Sequence, residues 1–186
     1  MQAALADAAR ALDEFARDPA TIAAMETMVE AIVAAFKRRG RVLACGNGGS
    51  MCDAMHFAEE FSGRFDKDRE PYPAIALSDP AHLTCVANDY GFDQVFSRQV
   101  DALGHEGDVL LILSTSGNSP NIVRAAETAK ARGMVVAGCL GKGGGRVEPH
   151  CDIVLHAPGD RSDRIQELHM LALHAVIETV EREMRT

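Results

Sequence analysis

The chain of 186 residues contains no tryptophan, and aromatic residues make up only 5% of it. Such a composition offers little for stacking nucleic-acid bases. An excess of basic residues is also missing, because 27 Asp and Glu residues outnumber 19 Lys and Arg and leave a formal net charge of −8. Nonspecific nucleic-acid binding is therefore unexpected, and a small-molecule ligand is the better fit.

Two further absences bear on location and redox state. No apolar run approaches the roughly 20 residues that span a bilayer, and the N-terminus lacks the basic start and apolar stretch of a signal peptide. The five cysteines form no C-x-x-C pair, and most lie within or next to apolar runs. The sequence therefore predicts a cytosolic protein, without a membrane span, whose cysteines are reduced packing residues.

The order of the predicted elements indicates a fold class. The length and the 47% hydrophobic content predict one globular core. Helical periodicity covers residues 3–17 and 20–38, separated at Asp18-Pro19, and a long helix is predicted from about Ser162 to Met184. Between them, short apolar runs alternate with helical patterns, at 42–45, 74–77, 108–114, 134–140 and 152–155. This alternation is typical of an α/β fold with a parallel sheet.

The first of these apolar runs ends in a glycine-rich loop, Gly46-Asn47-Gly48-Gly49-Ser50, and a helical pattern follows that carries His56 and Glu60. Glycines let backbone amides approach an anion closely, and the start of a helix adds a partial positive charge. The segment therefore predicts a phosphate cradle next to chemically active side chains.

A second loop, residues 114–119, joins a buried-strand pattern to a helix that starts near Pro120. Its hydroxyls either hold phosphate or only cap the helix at Ser119 and close a turn. In an open parallel sheet, both loops would lie at the carboxyl ends of strands, where ligands bind. Neither is a Walker A motif, which disfavours nucleotide triphosphate hydrolysis. The glycine-rich stretch 141–145 is interpreted as a turn.

Five motifs in order carry a resemblance to a known family: GNGGS, DAMHFAEEFSGR, CVANDYGF, LSTSGNSPN and RIQELHMLALH. Over about residues 38–184 the chain resembles the sugar isomerase (SIS) domain family and, within it, the sedoheptulose 7-phosphate isomerases, or phosphoheptose isomerases. The resemblance implies a flavodoxin-like three-layer αβα sandwich with a five-stranded parallel sheet. It also implies a single SIS domain over 1–186, in which helices at 1–38 serve oligomerisation and 39–186 form the phosphosugar-binding core.

The resemblance further implies a site. A zinc ion, one per subunit, would be held by four residues, namely His56, Glu60, Gln166 and His174. Glu60 and His174 would also be the catalytic pair. Substrate contacts would come from both loops, from a third segment and from the last helix: Asn47, Gly48, Gly49, Ser50, Glu60, Arg64, Asn88, Asp89, Ser114, Thr115, Ser116, Ser119, Asp163 and Gln166. The active sites of a homotetramer would lie at subunit contacts.

The residues themselves support part of this assignment. His56 and Glu60 are four apart and share one helix face, with Arg64 one turn on. Their alternative role is a surface Glu60–Arg64 ion pair beside an ordinary histidine. Gln166 and His174 are eight apart, about 12 Å along a helix and about 80° around it. They would bind one ion either by reaching toward each other or from different subunits, and the spacing leaves both arrangements open.

We therefore expect a cytosolic isomerase that converts D-sedoheptulose 7-phosphate to D-glycero-D-manno-heptose 7-phosphate through an enediol. According to the resemblance, this is the first step toward ADP-heptose or GDP-heptose for lipopolysaccharide core or other surface glycans. Two alternatives stand beside it: a noncatalytic SIS module of the type that binds the replication initiator, and an isomerase of another ketose phosphate. His169 is expected to be a structural residue. The remaining histidines, 82, 105, 150 and 156, are expected to have no role in the site.

Overall fold

The computed structural model describes residues 1–185. In this range, five strands form one sheet: β1 (Val42–Gly46), β2 (Ala74–Ala76), β3 (Val109–Ser114), β4 (Val135–Leu140) and β5 (Ile153–His156). Seven α-helices accompany them: α1 (Gln2–Arg17), α2 (Pro19–Lys37), α3 (Gly49–Ser62), α4 (Pro80–Tyr90), α5 (Ser97–Leu103), α6 (Pro120–Ala131) and α7 (Ser162–Met184). Short 3₁₀ turns occupy Phe92–Gln94 and Glu148–His150.

The sheet is entirely parallel, with strand order β2-β1-β3-β4-β5. The chain leaves β1 toward one edge and later returns to pair β3 with the other side of β1. The carboxyl ends of β1 and β3 are therefore neighbours, with Gly46 in register with Leu113. This is the topological switch point at which α/β sheets bind ligands, as the two predicted loops require.

Successive strand residues point to opposite faces of the sheet and pack into two separate hydrophobic cores. Val42, Ala44 and Leu111 face a cluster that includes residues of α1, α2, α3 and α7. Leu43, Cys45 and Ile112 face the opposite cluster, with residues of α4, α5 and α6. Because both faces are covered, the strands are apolar throughout. The predicted three-layer αβα sandwich is confirmed.

Local signals predicted most helix boundaries correctly. The Asp18 side chain accepts a hydrogen bond from the Ala20 amide at 2.9 Å and caps α2, with Pro19 in the first turn. Pro120 likewise begins α6, and Ser119 occupies the N-cap position. Each proline lacks an amide that the first turn would leave unpaired.

The expectation that no segment reaches membrane-spanning length and hydropathy is wrong for α2. By length and composition, this helix alone among the described residues is apolar enough to cross a bilayer. Six of its residues are buried, and it packs against α7 and β5. Contact with the core accounts for part of its apolar character, so its composition is weak support for a membrane span.

Candidate active site

The loop between β1 and α3 adopts a conformation that its glycines permit. Gly48 has φ +58°, a left-handed value that disfavours other residues. A Cβ on Gly46 would lie 2.6 Å from the Ser50 carbonyl, and one on Gly49 would lie 2.7 Å from Oε1 of Gln166. The loop therefore turns sharply into α3 and brings the helix N-terminus to the end of the sheet.

The loop between β3 and α6 is organised by its own hydroxyls. The Gly117 amide donates to Oγ of Ser114 at 3.0 Å, and the Asn118 amide donates to Oγ of Ser116 at 3.3 Å. The Ser119 side chain, in contrast, makes no capping hydrogen bond, although its backbone carbonyl accepts from Ile122 and Val123. Ser119 therefore occupies the N-cap position of α6, as predicted, but its hydroxyl does not cap the helix. This hydroxyl is available to a ligand.

A reciprocal amide pair joins the two loops. Nδ2 of Asn47 donates to Oδ1 of Asn121 at 3.0 Å, and Nδ2 of Asn121 donates to Oδ1 of Asn47 at 2.9 Å. Asn121 is buried in the first turn of α6. Sequence reasoning did not select Asn121, although it stands directly after the predicted helix start. The pair fixes the spacing between the two helix N-termini.

The glycine-rich stretch 141–145 forms the predicted turn and also supports the second loop. The Val147 amide donates to the carbonyl of Gly117 at 2.9 Å, and the Arg146 amide donates to Oδ1 of Asn118 at 3.1 Å. Gly117 has φ +62°, and a Cβ there would collide with the carbonyl of Gly144. The close approach of these two loops requires glycine on both sides.

A polar cavity of about 150 Å³ lies between the loops and the start of α7. Nε2 of Gln166 donates to Oγ of Ser50 at 3.3 Å, and Oγ1 of Thr115 lies 3.2 Å from Oγ of Ser162. The lining consists mainly of hydroxyl and amide side chains: Asn47, Ser50, Leu113, Ser114, Thr115, Ser116, Ser119, Ser162 and Gln166. Neutral donors next to two helix N-termini are suited to a phosphate group. Ser162 is a second residue that the sequence analysis missed.

Three further side chains meet where α3 and α7 pack together. His56, Glu60 and His174 each offer a ligand atom, and these atoms lie within 4.8 Å of one another. Nε2 of His56 is 3.0 Å from Oε1 of Glu60, and the two imidazole centroids are 5.1 Å apart. The Glu60 side chain is 13% exposed and that of His56 is 44% exposed. Among residues 1–185, this is the one His, Cys, Asp and Glu cluster with metal-binding spacing.

The alternative role for His56 and Glu60 is not observed. Within the described chain, no ion pair joins Glu60 to Arg64. The prediction that Arg64 lies one turn on along the same helix is wrong, because α3 ends at Ser62 and Arg64 is exposed in the segment that follows. Glu60 instead pairs with His56. One turn earlier, Oδ2 of Asp53 is buried without a hydrogen-bond partner, and burial raises the pKa of this carboxyl, against an opposing contribution from His56. His56, Glu60 and His174, called the triad below, come from one chain.

Three of the predicted substrate contacts, Asn88, Asp89 and Asp163, are not brought into the cavity. Asn88 and Asp89 are exposed at the end of α4, where Nδ2 of Asn88 donates to Oδ1 of Asp89 at 2.7 Å. Asp163 is exposed and paired with Arg161, whose guanidinium holds the pKa of that carboxyl below its usual range. Gln166 contacts Ser50, so its amide points toward the phosphate cradle. The roles predicted for these residues stay predictions.

His169 is buried in α7 and lies outside the triad. Desolvation lowers its pKa to about 4, against a smaller opposing contribution from the carbonyl of Leu140. Neither ring nitrogen has a well-formed hydrogen bond. Because the neutral imidazole is the form that burial favours, this residue behaves as a core side chain.

The chain is similar in sequence and in fold to known proteins. The SIS domain family matches residues 5–141. The phosphoheptose isomerase of Edwardsiella ictaluri is 53% identical over 181 residues, which are 97% of this chain and 94% of that protein. The phosphoheptose isomerase structure from Neisseria gonorrhoeae superposes with a TM-score of 0.91 at 39% identity, and that from Francisella tularensis with 0.93 at 37%. Each superposition covers 97% of this chain and 96% of the other.

More distant structures share only the fold. The Vibrio vulnificus NanR protein, solved with ManNAc-6P, has a TM-score of 0.72 at 15% identity, and it is matched over 62% of its length. The proteins about half identical to this chain over nearly its whole length carry the name phosphoheptose isomerase. The chain therefore belongs to the SIS domain family and, within it, to the phosphoheptose isomerases.

Proposed function

We propose that this chain is an aldose–ketose isomerase that converts D-sedoheptulose 7-phosphate to D-glycero-D-manno-heptose 7-phosphate through an enediol. The observation that carries the proposal is the convergence of His56, Glu60 and His174 on the two helices that border the phosphate cradle. The name shared by relatives about half identical over nearly the whole chain supports the same reaction.

The spacing of the two parts of the site fits a substrate with charge at one end and reactivity at the other. Ser50 and His56 are six residues apart on α3, and Gln166 and His174 are eight apart on α7. At 1.5 Å per residue, the phosphate cradle lies about 9–12 Å from the triad along either helix. A substrate that reaches both needs several carbons between its phosphate and its carbonyl, as a heptulose 7-phosphate has.

The reaction needs a base that moves a proton between adjacent carbons and an acid that serves the oxygens. Glu60 is the proposed base, because its carboxylate is largely shielded from solvent and is oriented by His56. His174 is the proposed acid, since its ring faces the same space. The hydroxyls of residues 114–119 and the amides of both helix starts hold the phosphate, so the carbon to be deprotonated stays within reach of Glu60.

The donor set also fits a divalent metal. Two imidazoles and one carboxylate are typical ligands of a catalytic zinc site, which keeps a further position open. We propose that His56, Glu60 and His174 hold one Zn²⁺. Gln166 is the proposed fourth ligand, but its amide contacts Ser50 and it lies about 12 Å along α7 from His174. It would therefore reach the ion only after its side chain turns toward His174, or from a neighbouring subunit, and a glutamine amide is an unusual zinc ligand. When bound, the ion would polarise the substrate carbonyl.

We further propose that residues 1–186 form a single SIS domain, with 39–186 as the phosphosugar core; residue 186 lies outside the described residues. Three apolar side chains remain exposed on α1 and α2: Leu5, Leu12 and Ile22. Their exposure supports a role for these two helices in assembly. The proposed assembly is a cytoplasmic homotetramer with active sites at subunit interfaces. Its product would supply ADP-heptose or GDP-heptose synthesis for lipopolysaccharide core or other surface glycans.

The test is solvent deuterium incorporation at the carbon next to the carbonyl, followed by NMR with sedoheptulose 7-phosphate and a panel of other ketose phosphates. Replacing the base with Glu60→Gln should lower exchange and turnover by roughly 10²- to 10⁴-fold. His174→Asn should cause a comparable loss. The neighbouring exposed Glu59→Gln is the matched control and should retain parental rates.

Each outcome separates the candidates. Exchange at the parental rate in Glu60→Gln would remove this residue from the base role. Turnover of a hexulose or pentulose phosphate in preference to the heptulose would identify a different phosphosugar isomerase. A folded parent that exchanges no proton of any ketose phosphate would favour a noncatalytic interaction module.

A further inference from the structure

A buried ion pair crosses between the segment after α3 and the end of α7. Nε of Arg69 lies 2.5 Å from Oε1 of Glu181, and their side chains are 6% and 2% exposed. The second carboxylate oxygen of Glu181 accepts from Nη2 of Arg185 at 2.9 Å. Burying such a pair carries a desolvation cost that often cancels its attraction, so stability alone does not explain its presence.

The same guanidinium caps the end of α3. Nη2 of Arg69 donates to the carbonyl of Glu60 at 2.8 Å, and Nη1 donates to the carbonyl of Phe61 at 2.8 Å. The guanidinium also lies 4.4 Å from the centroid of the Tyr72 ring. Carbonyls in the last turn of a helix have no partner within it and carry the negative end of its dipole. Arg69 therefore provides a partner for the Glu60 carbonyl and shares the Phe61 carbonyl with the Tyr72 amide, which donates to it at 3.0 Å. It thus fixes the backbone of the residue that bears the proposed base.

This contact joins the two helices that carry the triad, because Arg69 bonds to carbonyls of α3 and Glu181 lies on α7. Arg69 holds the backbone of Glu60 on α3, and Glu181 lies seven residues, about two turns, beyond His174 on α7. A single planar side chain thus links both helices next to the point where their functional groups meet. Only a fork of donors reaches a carboxylate and two carbonyls together.

We infer that Arg69 is a positioning residue: with Glu181 it holds α3 and α7 in the arrangement that brings His56, Glu60 and His174 together. The inference rests on the proposed function of the triad. Arg69 itself touches no reacting atom. Its effect is therefore expected in metal affinity and turnover, and much less in phosphate binding.

The decisive variant is Arg69→Met combined with Glu181→Leu, which removes the link without leaving a buried charge unpaired. The matched control is Arg185→Gln, which removes a guanidinium from the same carboxylate but touches no carbonyl of α3. In the double variant, the dissociation constant for Zn²⁺ and kcat should each worsen by about 10- to 100-fold, the usual range for residues that orient metal ligands. KM should change little, and the control should match the parent.

A second readout needs neither metal nor catalysis. In metal-free protein, the adjoining rings of His56 and His174 should give nuclear Overhauser contacts, which the double variant should lose and Arg185→Gln should keep. A parent that binds no Zn²⁺ or isomerises no heptulose would sink the proposed function, and the ring contacts would still test Arg69.

Arg69→Lys covers the case in which the double variant does not fold. Lysine keeps the charge opposite Glu181 but lacks the donor fork, so the variant should fold and show the same losses to a smaller degree. Parental Zn²⁺ affinity, kcat and ring contacts in whichever of the two variants folds would overturn the inference and leave Arg69 with a purely structural role.

Discussion

Replacing Ser119 by alanine should separate phosphate binding from folding. The Ser119 hydroxyl makes no capping bond, and its backbone carbonyl accepts the first two amide bonds of α6 without it. An N-cap side chain that does bond is worth about 1 kcal/mol, so the stability cost here should be well below that. A hydrogen bond to a charged group is worth roughly 1.5–3 kcal/mol, which corresponds to about 10- to 150-fold in affinity.

The comparison variant is Ser114→Ala, at the other end of the loop. Oγ of Ser114 accepts the Gly117 amide at 3.0 Å in a buried position. Its loss leaves that amide unpaired and should cost about 1–3 kcal/mol of stability. The two serines are therefore expected to differ: Ser119 chiefly affects binding, and Ser114 affects binding and folding together.

The assay pairs thermal unfolding with the inhibition constant of inorganic phosphate and with KM for the sugar phosphate. A further Ser116→Ala change in the Ser119→Ala background should weaken binding again, since its hydroxyl borders the same cavity. A folded Ser119→Ala protein with unchanged phosphate affinity would refute the assignment of this loop as the phosphate cradle.

Two other predictions concern metal and pH. Chelator-stripped protein should lose most of its activity and regain it with Zn²⁺, whereas full activity in rigorously metal-free protein would eliminate the metal role. Burial lowers the pKa of His169 from the ordinary histidine value of about 6.5 to about 4. Only the unfolded state gains this proton as pH falls from 6.5 toward 4, so the free energy of unfolding should decrease by up to about 3 kcal/mol over that window. Chemical denaturation at several pH values should find a smaller decrease in His169→Leu, and an equal decrease in both would contradict the argument.

Much of the fold could be predicted because its signals are local. Short continuous apolar runs predict strands that are covered on both faces. Pro19 and Pro120 predict helix starts, because proline has no backbone amide and the first turn of a helix leaves that amide unpaired. The two loops could be placed at the same edge of the sheet, since parallel strands put their carboxyl ends there, but it is the observed strand order that makes β1 and β3 neighbours. The membrane-like composition of α2 was not predicted because Glu26 and Glu30 interrupt its apolar run, although the mean hydropathy of the whole helix is high.

The site was harder to predict from the sequence than the fold, because its contacts join residues that are far apart in the chain. Asn47 and Asn121 are 74 residues apart, and no local pattern pairs one amide with the other. Arg69 lies in a charged, irregular segment whose composition is typical of a solvated surface. Its side chain is nevertheless buried against Glu181, which is 112 residues away in the sequence. Spacing on α3 did indicate that His56 and Glu60 share a face, but only the packing of α7 on α3 brings His174 to them.

The net charge of −8 does not conflict with a phosphate ligand, because the cradle contains no charge of its own. Its described lining carries neither Lys nor Arg, and the proposed attraction for phosphate would come from hydroxyls, amides and the N-termini of α3 and α6. These dipoles act within a hydrogen-bond length, whereas a surface charge more than about 10 Å away is largely screened at 0.1 M salt. Since the two helices start at neighbouring strands, their partial positive charges converge on one point. The overall charge therefore limits binding of extended polyanions, and the local backbone decides binding of a single phosphate.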